Sequence, residues 1–95
     1  MRMGLRAELT GRILGLPGVE LRRSRFTGDE AFFLGTREIA HFHGERVLDI
    51  RLTRARIRAR GEPRARRDWI EFPFARRADL DRALDLVREA VLADS

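Results

Sequence analysis

Five residue types are missing from this 95-residue chain: cysteine, lysine, asparagine, glutamine and tyrosine. Without cysteine there is no disulfide, no thiolate metal site and no thiol nucleophile. Without lysine there is no Schiff-base chemistry, and all twenty basic residues are arginine. The loss of Asn, Gln and Cys fits selection against heat-labile residues. A GC-rich genome, which favours Arg, Ala, Gly, Leu and Asp, accounts for the same pattern more simply. Ser24 and Ser95 are the only serines, and neither sits in a nucleophile-type context. There is no glycine-rich phosphate loop. No apolar run approaches the ~20 residues of a membrane-spanning helix. Arg6, Glu8 and Arg12 interrupt the N-terminal stretch, so no secretory leader is expected. The expectation is a cytoplasmic protein with no membrane partner.

What is present fits one small domain over residues 1–95, since 43% of the chain is apolar and no linker or repeat divides it. The net charge is +5, and arginine's high pKa drives the isoelectric point to about 11.4. The charge is unevenly placed. Eight arginines between Arg51 and Arg67 face one acid, Glu62, whereas the other twelve face fourteen acids. The whole excess therefore lies in one segment, which argues for an anionic partner, a small molecule or a nucleic acid.

The pattern of apolar residues predicts an α+β domain. Leu5, Leu9, Ile13 and Leu16 recur at helical spacing before a Gly15–Gly18 stop. Val19–Phe26, Ala31–Leu34, Arg37–His43 and Arg46–Leu52 read as strands separated by turn residues. Segment 53–60 is ambiguous: alternation of Arg with Ala and Ile argues strand, while a Thr53 cap, the alanines and Gly61 argue helix, which is preferred. Asp68–Phe74 reads as an aromatic-rich strand. Asp79 and Asp81 open a last helix with Leu80, Ala83, Leu84, Val87 and Val91 as its apolar stripe. The expected architecture is an antiparallel sheet of four to five strands with two or three helices on one face, in the order α-β-β-β-β-α-β-α.

The only two histidines, His41 and His43, lie one residue apart in the third strand. Side chains alternate along a strand, so both should point to the same face, beside Ile39. Asp49 joins them only if the hairpin pairs residues summing to 90; at 89 His41 faces Leu48 instead.

The runs Glu38–Gly44, Leu48-Asp49-Ile50, Trp69-Ile70-Glu71-Phe72 and Asp79–Arg88 occur in an order and at separations that resemble the luciferase domain family. The resemblance spans about Val19 to Leu92. It implies a small domain and assigns no reaction. Some members carry a histidine after the Glu-Pro pair, where this chain has Arg64 after Glu62-Pro63. A flavin luciferase barrel needs ~250 residues, so light emission by this chain alone is excluded.

The favoured function is a ligand-binding or oligomerising module, a homodimer included, on the sheet face left free of helices. Phe26, Phe32 or Phe33, and Trp69 are candidates to line that face. A first alternative is a metal or acid–base site with hydrolytic or oxygen chemistry: His41 and His43 as ligands or proton carriers, Asp49 orienting one of them, and no cofactor required beyond a divalent metal. A second is polyanion binding, with Arg37, Arg51, Arg56, Arg58 and Arg60 as the anion-binding candidates and Trp69 as a stacking platform.

Overall fold

The computed structural model describes residues 4–61 and 65–94. Glu62, Pro63, Arg64 and Ser95, singled out above, lie outside the described residues. The elements are α1 (Leu5–Leu14), β1 (Val19–Arg23), β2 (Glu30–Leu34), β3 (Arg37–Phe42), β4 (Val47–Arg51), α2 (Arg54–Arg60), β5 (Ala65–Arg66), β6 (Trp69–Pro73) and α3 (Arg77–Asp94). The strands form one antiparallel sheet in the order β1-β2-β3-β4-β6-β5. The α+β class and the expected order hold, with the two-residue β5 as the one added element. The first strand is shorter than expected and ends at Arg23, because Ser24 diverts the chain into a turn.

Local chemistry decides the ambiguous segment. The Thr53 hydroxyl accepts a hydrogen bond from the Arg56 N–H at 3.2 Å, and Gly61 closes the helix at φ 65°. Both ends of α2 are thereby capped, and Ile57 is buried in the core. At the start of α3 the Asp79 carboxylate reaches back to accept from the Ala75 and Arg76 N–H groups.

Residues paired across strands share a sheet face. Leu21, Phe32, Ala40, Ile50 and Ile70 form one row toward the helices. There Leu9 and Ile13 of α1 and Leu80, Ala83, Leu86, Val87 and Ala90 of α3 close the core. Leu86 and Ala90 widen the expected α3 stripe, while Leu84 and Val91 lie at its margin. Phe42 is central, edge-on to Phe32 at 5.7 Å and to Phe74 at 6.3 Å. The Arg6 guanidinium covers its ring at 4.2 Å. Arg6 also bonds Asp29, Glu30, Glu45 and the Gly44 carbonyl, clamping α1 to two hairpins. Its hydrogen bond to Asp29 holds the guanidinium well above its ordinary pKa and the carboxyl below its own.

One irregularity positions the site. Phe32 pairs with Ala40 but Phe33 pairs with Glu38, so Ile39 is an extra residue, a β-bulge in β3. Ile39 and Ala40 are both in the core. The bulge corrects the expected alternation: Ile39 leaves the face of His41, and Glu38 joins it.

Removing the central ring tests this packing. Phe42→Ala should lower the unfolding free energy by about 3–5 kcal/mol, seen as an earlier urea midpoint with an unchanged slope. A loss below about 1 kcal/mol would mean that Phe42 does not organise the core.

Candidate functional site on the helix-free sheet face

Among the described residues only three polar or charged side chains are buried: Ser24, Glu38 and His41. All three belong to one network on the face that the helices leave open. The hairpin register pairs His41 with Asp49, and Asp49 with Glu71. The residue sum is 90, which brings His41 and Asp49 together.

His41 Nδ1 lies 2.9 Å from Glu38 Oε2, and Nε2 lies 2.9 Å from Asp49 Oδ2. Each ring nitrogen faces a carboxylate oxygen, the arrangement in which an imidazolium donates from both nitrogens to ionised carboxylates. Burial pulls His41 toward its neutral form; the hydrogen bonds and charges of Asp49 and Glu38 outweigh that pull and hold its pKa above the ordinary 6.5. The Ser24 hydroxyl donates to Glu38 Oε2 at 2.6 Å, and the Arg25 N–H donates to Oε1 at 2.8 Å. Ser24 Oγ in turn accepts from the Phe26 and Thr27 N–H groups, which shapes the turn after β1. No buried side-chain nitrogen or oxygen among the described residues lacks a partner.

This turn hangs Phe26 over the site. The ring is 61% exposed, stands 6.0 Å from His41 and meets Trp69 edge-on at 5.4 Å. Trp69, half-buried, lies 4.5 Å from His41. His43 reaches the same place from solvent, 69% exposed, with Nδ1 3.6 Å from Asp49 Oδ2. That distance is too long for a hydrogen bond. The network thus runs from a buried hydroxyl through two carboxylates and an imidazolium to an exposed imidazole.

The sequence-level candidates separate cleanly in space. His41, His43 and Asp49 come together. Both nitrogens of His41 are committed to carboxylates, and no group of three or more His, Asp or Glu among the described residues is arranged to hold a metal ion. The arginines do not form one surface. Arg51 donates to Asp68 at 3.0 Å and covers Trp69 at 5.5 Å, on the open face. Burial would push the Asp68 carboxyl up, and the Arg51 hydrogen bond with the Arg51 and Arg37 charges brings it below its usual value. Arg56 and Arg60 instead pair with Glu89 of α3, on the helix side, while Arg58 is exposed on α2. Of the two phenylalanines considered, Phe32 is core, and Phe33 lies on the open face but is sealed beneath Arg22 and Arg25. The tie from Ser24 to Glu38 and the sharing of a face by Glu38 and His41 carried no signal in the sequence, because positions three apart on a regular strand face opposite ways.

The fold and site together define a class: a small α+β domain whose antiparallel sheet is covered by helices on one face and carries a buried His–carboxylate network on the other. The chain belongs to the luciferase domain family, whose model matches residues 36–90. His41, His43, Asp49 and Trp69 lie inside that span, whereas Ser24 and Phe26 precede it. No curated protein and no solved structure gives a match. Among the described residues no helix is long and apolar enough to cross a membrane.

The raised pKa of His41 fixes the sign of a pH effect. A group bound more tightly as its cation contributes stability that is complete below its unfolded value and lost as pH rises through its folded one. Thermal midpoints should therefore hold up to near pH 6.5 and decline on the alkaline side, by at most about 1.4 kcal/mol per pH unit for one proton. In His41→Gln that alkaline decline should vanish. An identical decline in the variant would assign it to other groups.

Proposed function

We propose that this domain binds a small molecule on the helix-free sheet face, with Phe26 and Trp69 holding a flat apolar body and Asp49, His43 and Arg51 meeting its polar end. The observation that supports this most is the concentration of every described buried polar residue beneath one exposed phenylalanine. Burying an imidazolium with two carboxylates is expensive, and well-packed apolar residues are often the more stable choice. A site that pays this desolvation under an exposed aromatic ring fits recognition better than stability alone. The Glu38 and Asp49 clamps hold His41 rigidly, so the floor of the site is pre-organised before a ligand arrives. No cofactor is needed for this role. A cytoplasmic location suits it, since a chain without cysteine gives up no disulfide there.

Trp69 is the only tryptophan, so its fluorescence reports this site alone. Benzoate, benzamidine and phenol share a ring and differ in charge. At least one should shift the Trp69 emission with a Kd on the order of 1 mM, as fragments of this size do. Phe26→Ala should weaken that binding about 3–10-fold. If none of the three perturbs Trp69 below about 10 mM, the ligand-binding role is lost.

A second role, acid–base chemistry, rests on His43 beside Asp49. His43 is open to solvent, and the carboxylate next to it is fixed by His41. This is the arrangement of a proton carrier with an orienting carboxylate. Acetophenone bound against Phe26 would then exchange its methyl protons for deuterium faster than free acetophenone. His43→Ala should remove the acceleration even at acetophenone concentrations that saturate the variant, so that the loss lies in the chemical step and not in binding. Binding without acceleration would leave recognition as the sole function.

A further inference from the structure

The sheet ends at β1, whose outer edge pairs with no strand among the described residues. The hydrogen-bond pattern shows which of its backbone groups point outward. The Ser24 N–H bonds the Asp29 carbonyl one position beyond the last β1–β2 pair, Arg23–Glu30, and so sets which pairs of the ladder are hydrogen-bonded. Such pairs alternate, so Arg22–Ala31 and Glu20–Phe33 are also hydrogen-bonded. Val19, Leu21 and Arg23 therefore turn their N–H and C=O groups away from β2. The Val19 N–H confirms the parity, since it bonds back to the Leu16 carbonyl.

The side chains of this edge follow the same alternation. Leu21 lies on the helix side and is 37% exposed, a large apolar residue at the middle of a five-residue edge. Glu20 and Arg22 lie on the opposite face, where Arg22 covers Phe33 at 5.3 Å and pairs with Glu20 at 3.2 Å. Charged residues on an edge strand usually deter pairing. Here their order is self-complementary instead.

We infer that β1 is a homodimer edge: a second copy of this chain adds its own β1 antiparallel, with Leu21 facing Leu21 of the partner subunit across a two-fold axis. In that register each Glu20 stands directly opposite an Arg22 of the other chain, and two such pairs form. A slip of two residues either way destroys this. One slip sets Arg22 against Arg22, and the other sets Glu20 against Glu20, like charges directly opposed. A slip of one residue mismatches outward-facing and inward-facing backbone groups. Backbone geometry and charge therefore select a single register, and a two-fold contact of identical strands closes without further growth. The two Leu21 side chains would meet on the helix side, and the two sheets would join into one continuous sheet. The helix-free face with Phe26 and His41 stays open.

Sedimentation equilibrium of the wild-type chain should show a concentration-dependent dimer. Glu20→Arg, which places arginine against Arg22 twice, should weaken dimerisation about tenfold or more. The double variant Glu20→Arg with Arg22→Glu restores the opposed charges and should recover the dimer, with circular dichroism confirming the fold. An independent probe uses the absence of cysteine. In Leu21→Cys the two thiols meet across the axis at a Cα separation of about 5.5 Å, within disulfide range, so mild oxidation should give a covalent dimer. Arg23→Cys, facing Val19 of the other chain, should stay uncrosslinked. A wild-type monomer at concentrations on the order of 100 µM would overturn the inference. So would a dimer indifferent to Glu20→Arg, or a Leu21→Cys chain that does not cross-link.

Discussion

An imidazolium held between two carboxylates organises the open face of this domain, and it exists because β3 contains one residue too many. Glu38 and His41 are three apart, a spacing that sends side chains to opposite faces of a regular strand. The bulge at Ile39 turns Glu38 to the His41 side while dropping Ile39 into the core, so one insertion serves both faces. Glu38 then becomes a hub: it accepts from His41, from the Ser24 hydroxyl and from the Arg25 N–H. Those last two bonds fasten the turn that carries Phe26. The most exposed aromatic ring of the site is thus fixed through the most buried carboxylate.

Charge behaves differently in space than along the chain. The arginine-rich segment reads as one basic block, yet folding divides it between the two sides of the sheet. Arg51 goes to Asp68 on the open face, and Arg56 and Arg60 go to Glu89 on α3. Two acids, Asp68 and Glu89, thereby pair with three of the eight arginines of the run. Arg6 shows the same logic in reverse: one arginine gathers Asp29, Glu30 and Glu45 from two hairpin turns and covers Phe42. Such exposed pairs contribute little each, but a convergent cluster fixes where α1 lies.

The two faces divide the labour of the fold. Helices α1 and α3 seal a core of Phe, Ile and Leu whose burial supplies the stability. That core offsets the desolvation of Ser24, Glu38 and His41 opposite. The family's matched span covers the strands that carry His41, Asp49 and Trp69. Ser24 and Phe26 come from the preceding hairpin, so this chain completes the site with residues outside that span.

Periodicity and turn residues were enough to determine α1, α3, the main strands and the antiparallel class, because these follow from local spacing and local capping, while the family rested on the resemblance of the motif runs. Leu80, Ala83 and Val87 announce α3, and Thr53 with Gly61 settles α2 once their hydrogen bonds are seen. The association of His41 with His43 was legible for the same reason, as both follow from a period of two. Three things were decided only in three dimensions. The register that brings Asp49 to His41 depends on a one-residue choice that both hairpin alternatives satisfied locally. The bulge that recruits Glu38 leaves no compositional trace, since Ile39 looks like any strand residue. The partners of the arginines come from elements up to tens of residues away. In each case the deciding energy is a contact across strands or between elements, which the period along one segment does not specify.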